Sequence, residues 1–66
     1  MKFGERLREL RLAKSKTLKE MASELCVDYT TIRNWEARGA ETSFAMLVRL
    51  ADYFDVSTDY LLGRED

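Results

Sequence analysis

Residues Val27 to Gly39 read VDYTTIRNWEARG. Within this stretch Tyr29, Thr30, Arg33 and Asn34 stand at i, i+1, i+4 and i+5, which places them on one side of a helix. Their chemistry is hydrogen bonding rather than bond making. An asparagine amide pairs bidentately with an adenine edge, and an arginine fork with guanine or with a phosphate. Thr30 offers a methyl and a hydroxyl, Tyr29 a ring and a hydroxyl, and Thr31 is placed to reach a phosphate. The opposite side carries only Ile32 and Trp35, too few apolar residues for a helix buried all round. Trp35 is therefore assigned to a core.

The elements that must position this face follow from apolar spacing and capping chemistry. Phe3, Leu7 and Leu10, with Leu12 or Ala13, predict a first helix over about 2–14. Thr17 followed by Glu20 is a capping-box signature and opens a second helix over 17–26, with Leu18, Met21, Ala22 and Leu25 on one side. Asp28 is the expected N-cap of a third helix, over 29–38, and Gly39 its stop. Thr42 or Ser43 caps a fourth helix, over 43–54, whose apolar stripe is Phe44, Leu47, Val48, Ala51 and Phe54. Ser57 caps a short fifth helix over 58–62, ended by Gly63. No strand pattern, repeat or linker interrupts these elements, so the fold class is all-α, with residues 1–66 as one domain.

Composition excludes several function classes. The chain holds no histidine, one cysteine and no proline. It therefore has no internal disulfide, no zinc-ligand set and no histidine-based catalysis. No activated nucleophile or glycine-rich phosphate loop is present either, so no enzyme, metal, cofactor or small-molecule site is expected. Nothing approaches the length of a membrane span or a signal peptide, and a cytoplasmic protein is expected. The net charge of −1 conceals an asymmetry: residues 1–38 carry nine basic and six acidic side chains, residues 39–66 two basic and six acidic. A basic face is compatible with that distribution.

The spacing between the second and third helices is the most informative feature. Ala22 stands four residues before Cys26, Ile32 ten after Ala22, and Trp35 three further on. A small residue in the first helix, a short turn, and apolar residues on the inner side of the second are what a tight helix-turn-helix crossing requires. The outer side of the second helix is then free to enter a major groove.

The segments TLKEMASELCVDYTTIRNWEARG and TSFAMLVRLADYFDVSTDYLLG resemble the phage repressor–Cro (Xre-like) family, from about Phe3 to Gly63. The resemblance implies a compact five-helix, lambda-repressor-like domain, bacterial or phage-encoded. It implies binding to double-stranded DNA as a homodimer on a palindromic operator, in a regulator of transcription that acts as a repressor. Four positions depart from the family pattern. Cys26 replaces a glycine at the turn, where a left-handed backbone puts a non-glycine residue under about 1 kcal/mol of strain. Leu18 replaces a glutamine that touches the DNA backbone, Thr42 replaces a proline, and the glycine after Glu36 is displaced by one, to Gly39.

The docking that the resemblance implies assigns Tyr29, Thr30, Arg33 and Asn34 to base edges. Lys16, Thr17, Lys19, Thr31 and Arg38 go to phosphates, with the second helix's N-terminus as an anion site. Asp28 would stand near those phosphates, an unfavourable place unless its charge is occupied in capping. Glu36 is expected to make a polar link inside the domain, to an arginine of the first helix such as Arg11, and Cys26 to be a buried or half-buried turn residue. Tyr53, Phe54, Val56, Tyr60 and Leu61 crowd the C-terminal end and are assigned to a two-fold contact. The chain is expected to be either a complete small regulator or the N-terminal domain of a longer repressor. The competing class is a protein-interaction or antitoxin-type helix-turn-helix module.

Overall fold

A computed structural model describes residues 2–65; Met1 and Asp66, the two ends of the expected domain, lie outside the described residues. Five helices follow one another: α1 Phe3–Ala13, α2 Leu18–Leu25, α3 Tyr29–Ala37, α4 Phe44–Phe54 and α5 Thr58–Leu61. Among the described residues there is no strand, and no helix is long and apolar enough to cross a membrane. Each helix is shorter than expected by one residue at one or both ends; at the starts of α2 and α4 this is because Thr17 and Ser43 stand as caps rather than as helical residues.

Each helix contributes one fully buried side chain to a common centre: Leu7, Met21, Ile32, Leu50 and Leu61. Phe3, Ala22, Leu25, Trp35, Ala51 and Phe54 close around them. Phe3 meets Trp35 edge to face, with ring centroids 6.2 Å apart. Burial of this kind is worth about 1.5–3 kcal/mol for each large side chain and drives the collapse. The α4 stripe differs from expectation. Leu50 and Ala51 face inward with Phe54, whereas Phe44 is 89% and Val48 53% exposed. The stripe that turns inward is rotated toward Leu50, with Met46, Leu47 and Tyr53 packed at its margins.

Capping follows the sequence at Thr17, Ser43 and Ser57, whereas Asp28, the expected cap of α3, makes no side-chain cap bond. Thr17 Oγ1 accepts from the Glu20 N–H at 3.0 Å, and the Thr17 N–H donates to Glu20 Oε1 at 2.8 Å, which completes the box. Ser43 and Ser57 each accept from the backbone N–H three residues on. At the other ends, Ser15, Cys26 and Asp55 take the left-handed conformation after α1, α2 and α4, as Gly39 and Gly63 do after α3 and α5. After α1, α2 and α4 the following N–H reaches five residues back: Lys16 to Arg11, Val27 to Ala22, Val56 to Ala51. The chain reverses there without glycine, under a strain of about 1 kcal/mol at each site.

The expected link between Arg11 and Glu36 is present and nearly buried. Nε and Nη2 of Arg11 donate to the two carboxylate oxygens at 2.8 and 2.9 Å, and Nη1 donates to the Lys16 carbonyl at 2.9 Å. The Glu36 hydrogen bonds raise the Arg11 pKa against the opposing effect of burial. One guanidinium thus ties α1 to α3 and to the turn that leads into α2. Gly4, unremarked in the sequence, permits the same approach. A β-carbon there would lie 2.2 Å from the Trp35 carbonyl oxygen.

Two substitutions test this frame. Gly4→Ala forces α1 away from α3 and is expected to lower stability by roughly 2 kcal/mol or more. That is a fall in Tm of about 10 °C, read by circular dichroism. Glu36→Ala leaves a buried guanidinium without its partner and is expected to remove about 3 kcal/mol.

Candidate nucleic-acid interface

The turn between α2 and α3 is three residues long, Cys26 to Asp28. Cys26 adopts φ 59° and ψ 43°, and the Val27 N–H bonds the Ala22 carbonyl at 3.0 Å. Arg49 of α4 reaches across and donates from Nη2 to the Leu25 carbonyl at 2.8 Å, holding the end of α2. Cys26 is exposed, not buried or half-buried as expected, because the left-handed backbone turns its side chain outward while Val27 packs inward.

With Ile32 and Trp35 buried beside Ala22, the remaining sides of α3 turn to solvent. Tyr29, Thr30 and Arg33 are exposed; Asn34 and Thr31 are half-exposed. Among the described residues, the side-chain polar atoms of these five have no hydrogen-bond or ion-pair partner within the protein. The contrast with Arg11 and Glu36 is sharp. One set of polar groups is consumed by the fold and the other is left with its hydrogen-bonding capacity intact.

The α2 N-terminus lies next to the start of α3. Lys16, Thr17, Lys19 and Tyr29 line one shallow depression, floored by Arg11 and Leu18. The Lys19 ammonium stands 5.9 Å from the centre of the Tyr29 ring. Thr17 Oγ1 is occupied as a cap acceptor, but its hydroxyl hydrogen is free to donate to an anion. Lys16 is less available, because its Nζ bonds Glu24 at 2.6 Å. That bond raises the Lys16 pKa and lowers that of Glu24. Arg38, exposed just beyond α3, stands apart from the residues that line this depression.

The C-terminal residues assigned to a two-fold contact are placed unevenly. Phe54 is 8% exposed and Leu61 fully buried, so both are core residues: α5 needs Leu61 to reach the common centre. Tyr53, Val56 and Tyr60 are half-exposed. Their surroundings already engage two of them. The Tyr53 hydroxyl donates to Glu24, and burial with that bond pushes its pKa up to about 12. The Arg6 guanidinium lies 4.2 Å over the Tyr60 ring. Among the described residues, no cluster of acidic or sulfur side chains could hold a metal ion.

Known proteins are similar to this chain in sequence. Residues 7–61 match the helix-turn-helix family HTH_3. The chain is 35% identical over its whole length to the HTH-type transcriptional regulator ImmR of Bacillus subtilis, covering 52% of that protein. It is 36% identical over 64 residues to the cryptic phage CTXphi transcriptional repressor RstR of Vibrio cholerae, covering 97% of this chain and 57% of RstR. The HTH-type transcriptional activator BcrR of Enterococcus faecalis is 33% identical over 66 residues, all of this chain and 32% of BcrR. The chain thus spans about half the length of the first two relatives. The family is not enzymatic in general. With the three-residue turn, the buried Ala22, Ile32 and Trp35, and the free polar side of α3, these matches show that the chain belongs to the HTH_3 helix-turn-helix family, the Xre-like group of DNA-binding transcriptional regulators.

Proposed function

We propose that this domain binds double-stranded DNA sequence-specifically, with α3 in the major groove. Tyr29, Thr30, Arg33 and Asn34 face base edges, and Thr17, Lys19 and Thr31 hold phosphates beside the α2 N-terminus. Lys16 and Arg38 contribute further out. The observation that carries this reading is the free hydrogen-bonding capacity of the α3 side chains above a fully buried Ile32. In the bacterial or phage setting of its relatives, the domain would work in the cytoplasm and repress by covering a promoter.

A palindromic operator requires two copies, with their α3 helices ~34 Å apart. The domain measures 28 × 21 × 20 Å, so each α3 need stand only about 17 Å from the two-fold axis and two domains in direct contact can span the site. We place that contact on Phe44 and Val48, one turn apart on α4. Phe44 also lines a groove of about 180 Å³ with Phe3, Glu41, Thr42, Leu47 and Leu62, of a size to accept one aromatic ring from a second copy. Tyr53, Val56 and Tyr60 would extend the contact at its margin. A contact built on two exposed apolar side chains and their margin makes a weak dimer until DNA aligns it.

Two measurements test these readings. Log affinity for duplex DNA should fall with log salt with a slope of about −0.9 per phosphate neutralised, several phosphates in all. Asn34→Ala and Thr30→Ala should alter base preference at defined positions in sites selected from random duplexes; a flat salt response would remove the DNA reading. In sedimentation, the wild type should associate at high micromolar concentration and Phe44→Glu should remain monomeric with unchanged Tm. Equal association of the two would remove the α4 contact.

A further inference from the structure

Asp28 occupies the N-cap of α3 with φ −69° and ψ 142°, the backbone geometry in which an aspartate ordinarily caps. It does not cap. The Thr31 N–H goes to the Asp28 backbone carbonyl at 3.1 Å, and the carboxylate makes no cap bond. The N-caps of α2, α4 and α5 behave differently: Thr17, Ser43 and Ser57 all accept from the third helical N–H. Among the described residues Asp28 is also in no ion pair, and it is exposed. An unengaged acceptor therefore stands immediately before Tyr29, at the end of α3 that meets base edges in helix-turn-helix docking.

A carboxylate only accepts hydrogen bonds. Against phosphates and against the acceptor edges of guanine and thymine it is repelled, so it penalises most sequences. In the major groove the hydrogens it can take belong to the amino groups of cytosine and adenine. The adenine amino group is flanked by the N7 lone pair, which repels a carboxylate; that of cytosine is flanked by C5–H. We propose that Asp28 is a specificity-determining residue that accepts from the N4 amino group of one cytosine in each half-site. It selects partly by attraction and partly by rejecting the alternatives. This inference rests on the DNA reading of α3 given above.

The test is selection from a random duplex library with the wild type, Asp28→Ser and Asp28→Asn. Serine is a good N-cap, so the variant keeps α3 folded, which its Tm verifies. The wild type should enrich a cytosine at one position per half-site. In Asp28→Ser that preference should drop about tenfold, while affinity for random-sequence duplex rises and the salt slope steepens. Asp28→Asn should shift the preference at the same position, since an amide also donates. An unchanged cytosine preference in both variants, or a change confined to an adenine position, would overturn the proposal while leaving the DNA reading intact. A wild type that enriches nothing would overturn both.

Discussion

The bidentate ion pair between Arg11 and Glu36 organises this small domain. A single guanidinium donates from Nε and Nη2 to Glu36 and from Nη1 to the Lys16 carbonyl, so α1, the following turn and α3 are fixed together. The pair is nearly buried, with side chains 10% and 6% exposed. Ion pairs so placed add little net stability over an apolar substitute, yet leaving one partner alone is severely unfavourable. Its contribution is therefore to geometry. Glu36 follows Trp35, and the same stretch of α3 backbone presses on Gly4, so the far end of the reading helix is clamped from one side by charge and from another by close contact.

Free polar groups gather where the clamp is absent. Towards the N-terminal end of α3 the hydroxyls, guanidinium and amide are unengaged, and the carboxylate of Asp28 shares that condition. Lys14, Lys16, Glu24 and Tyr53 instead satisfy one another: Lys14 stands 4.3 Å over the Tyr53 ring, and Glu24 accepts from Lys16 and from the Tyr53 hydroxyl. The domain thus separates polar side chains that hold it together from those left for a partner. Net charge, at −1, reports none of this.

What could be read from sequence was what depends on neighbours in the chain. The Thr17–Glu20 box and the serine caps are set within three residues and are present, and the left-handed turn at Cys26, implied by the family resemblance, is present too. The inward placement of Ala22, Ile32 and Trp35 follows from helical period alone. The Arg11–Glu36 link was accessible because a lone glutamate beside a core tryptophan needs a partner. Gly4 was not legible, since the Trp35 carbonyl that forbids a β-carbon is thirty-one residues away. Nor was the direction of the α4 stripe. Period places Phe44 and Val48 with Leu47 and Ala51, but the neighbours available to cover them decide which side turns inward. Leu61 was misassigned for the same reason: a four-residue helix must spend its one long aliphatic side chain on the core. Asp28 and Cys26 differ from expectation through side-chain direction, which backbone propensity does not specify.

The three-residue turn from Cys26 to Asp28 also acts as a phase setting. Successive α-helical residues are rotated by about 100°, and the turn begins with a hydrogen bond from Val27 to Ala22 that fixes where α3 starts its rotation. One residue more or fewer would keep every side chain of α3 and still swing its polar side about a quarter turn. With one residue fewer Arg33 would take the inward place of Ile32, and with one more Thr31 would. The identity of the residues that read is therefore only half of what the chain encodes. The other half is an angle, stored in the length of the turn.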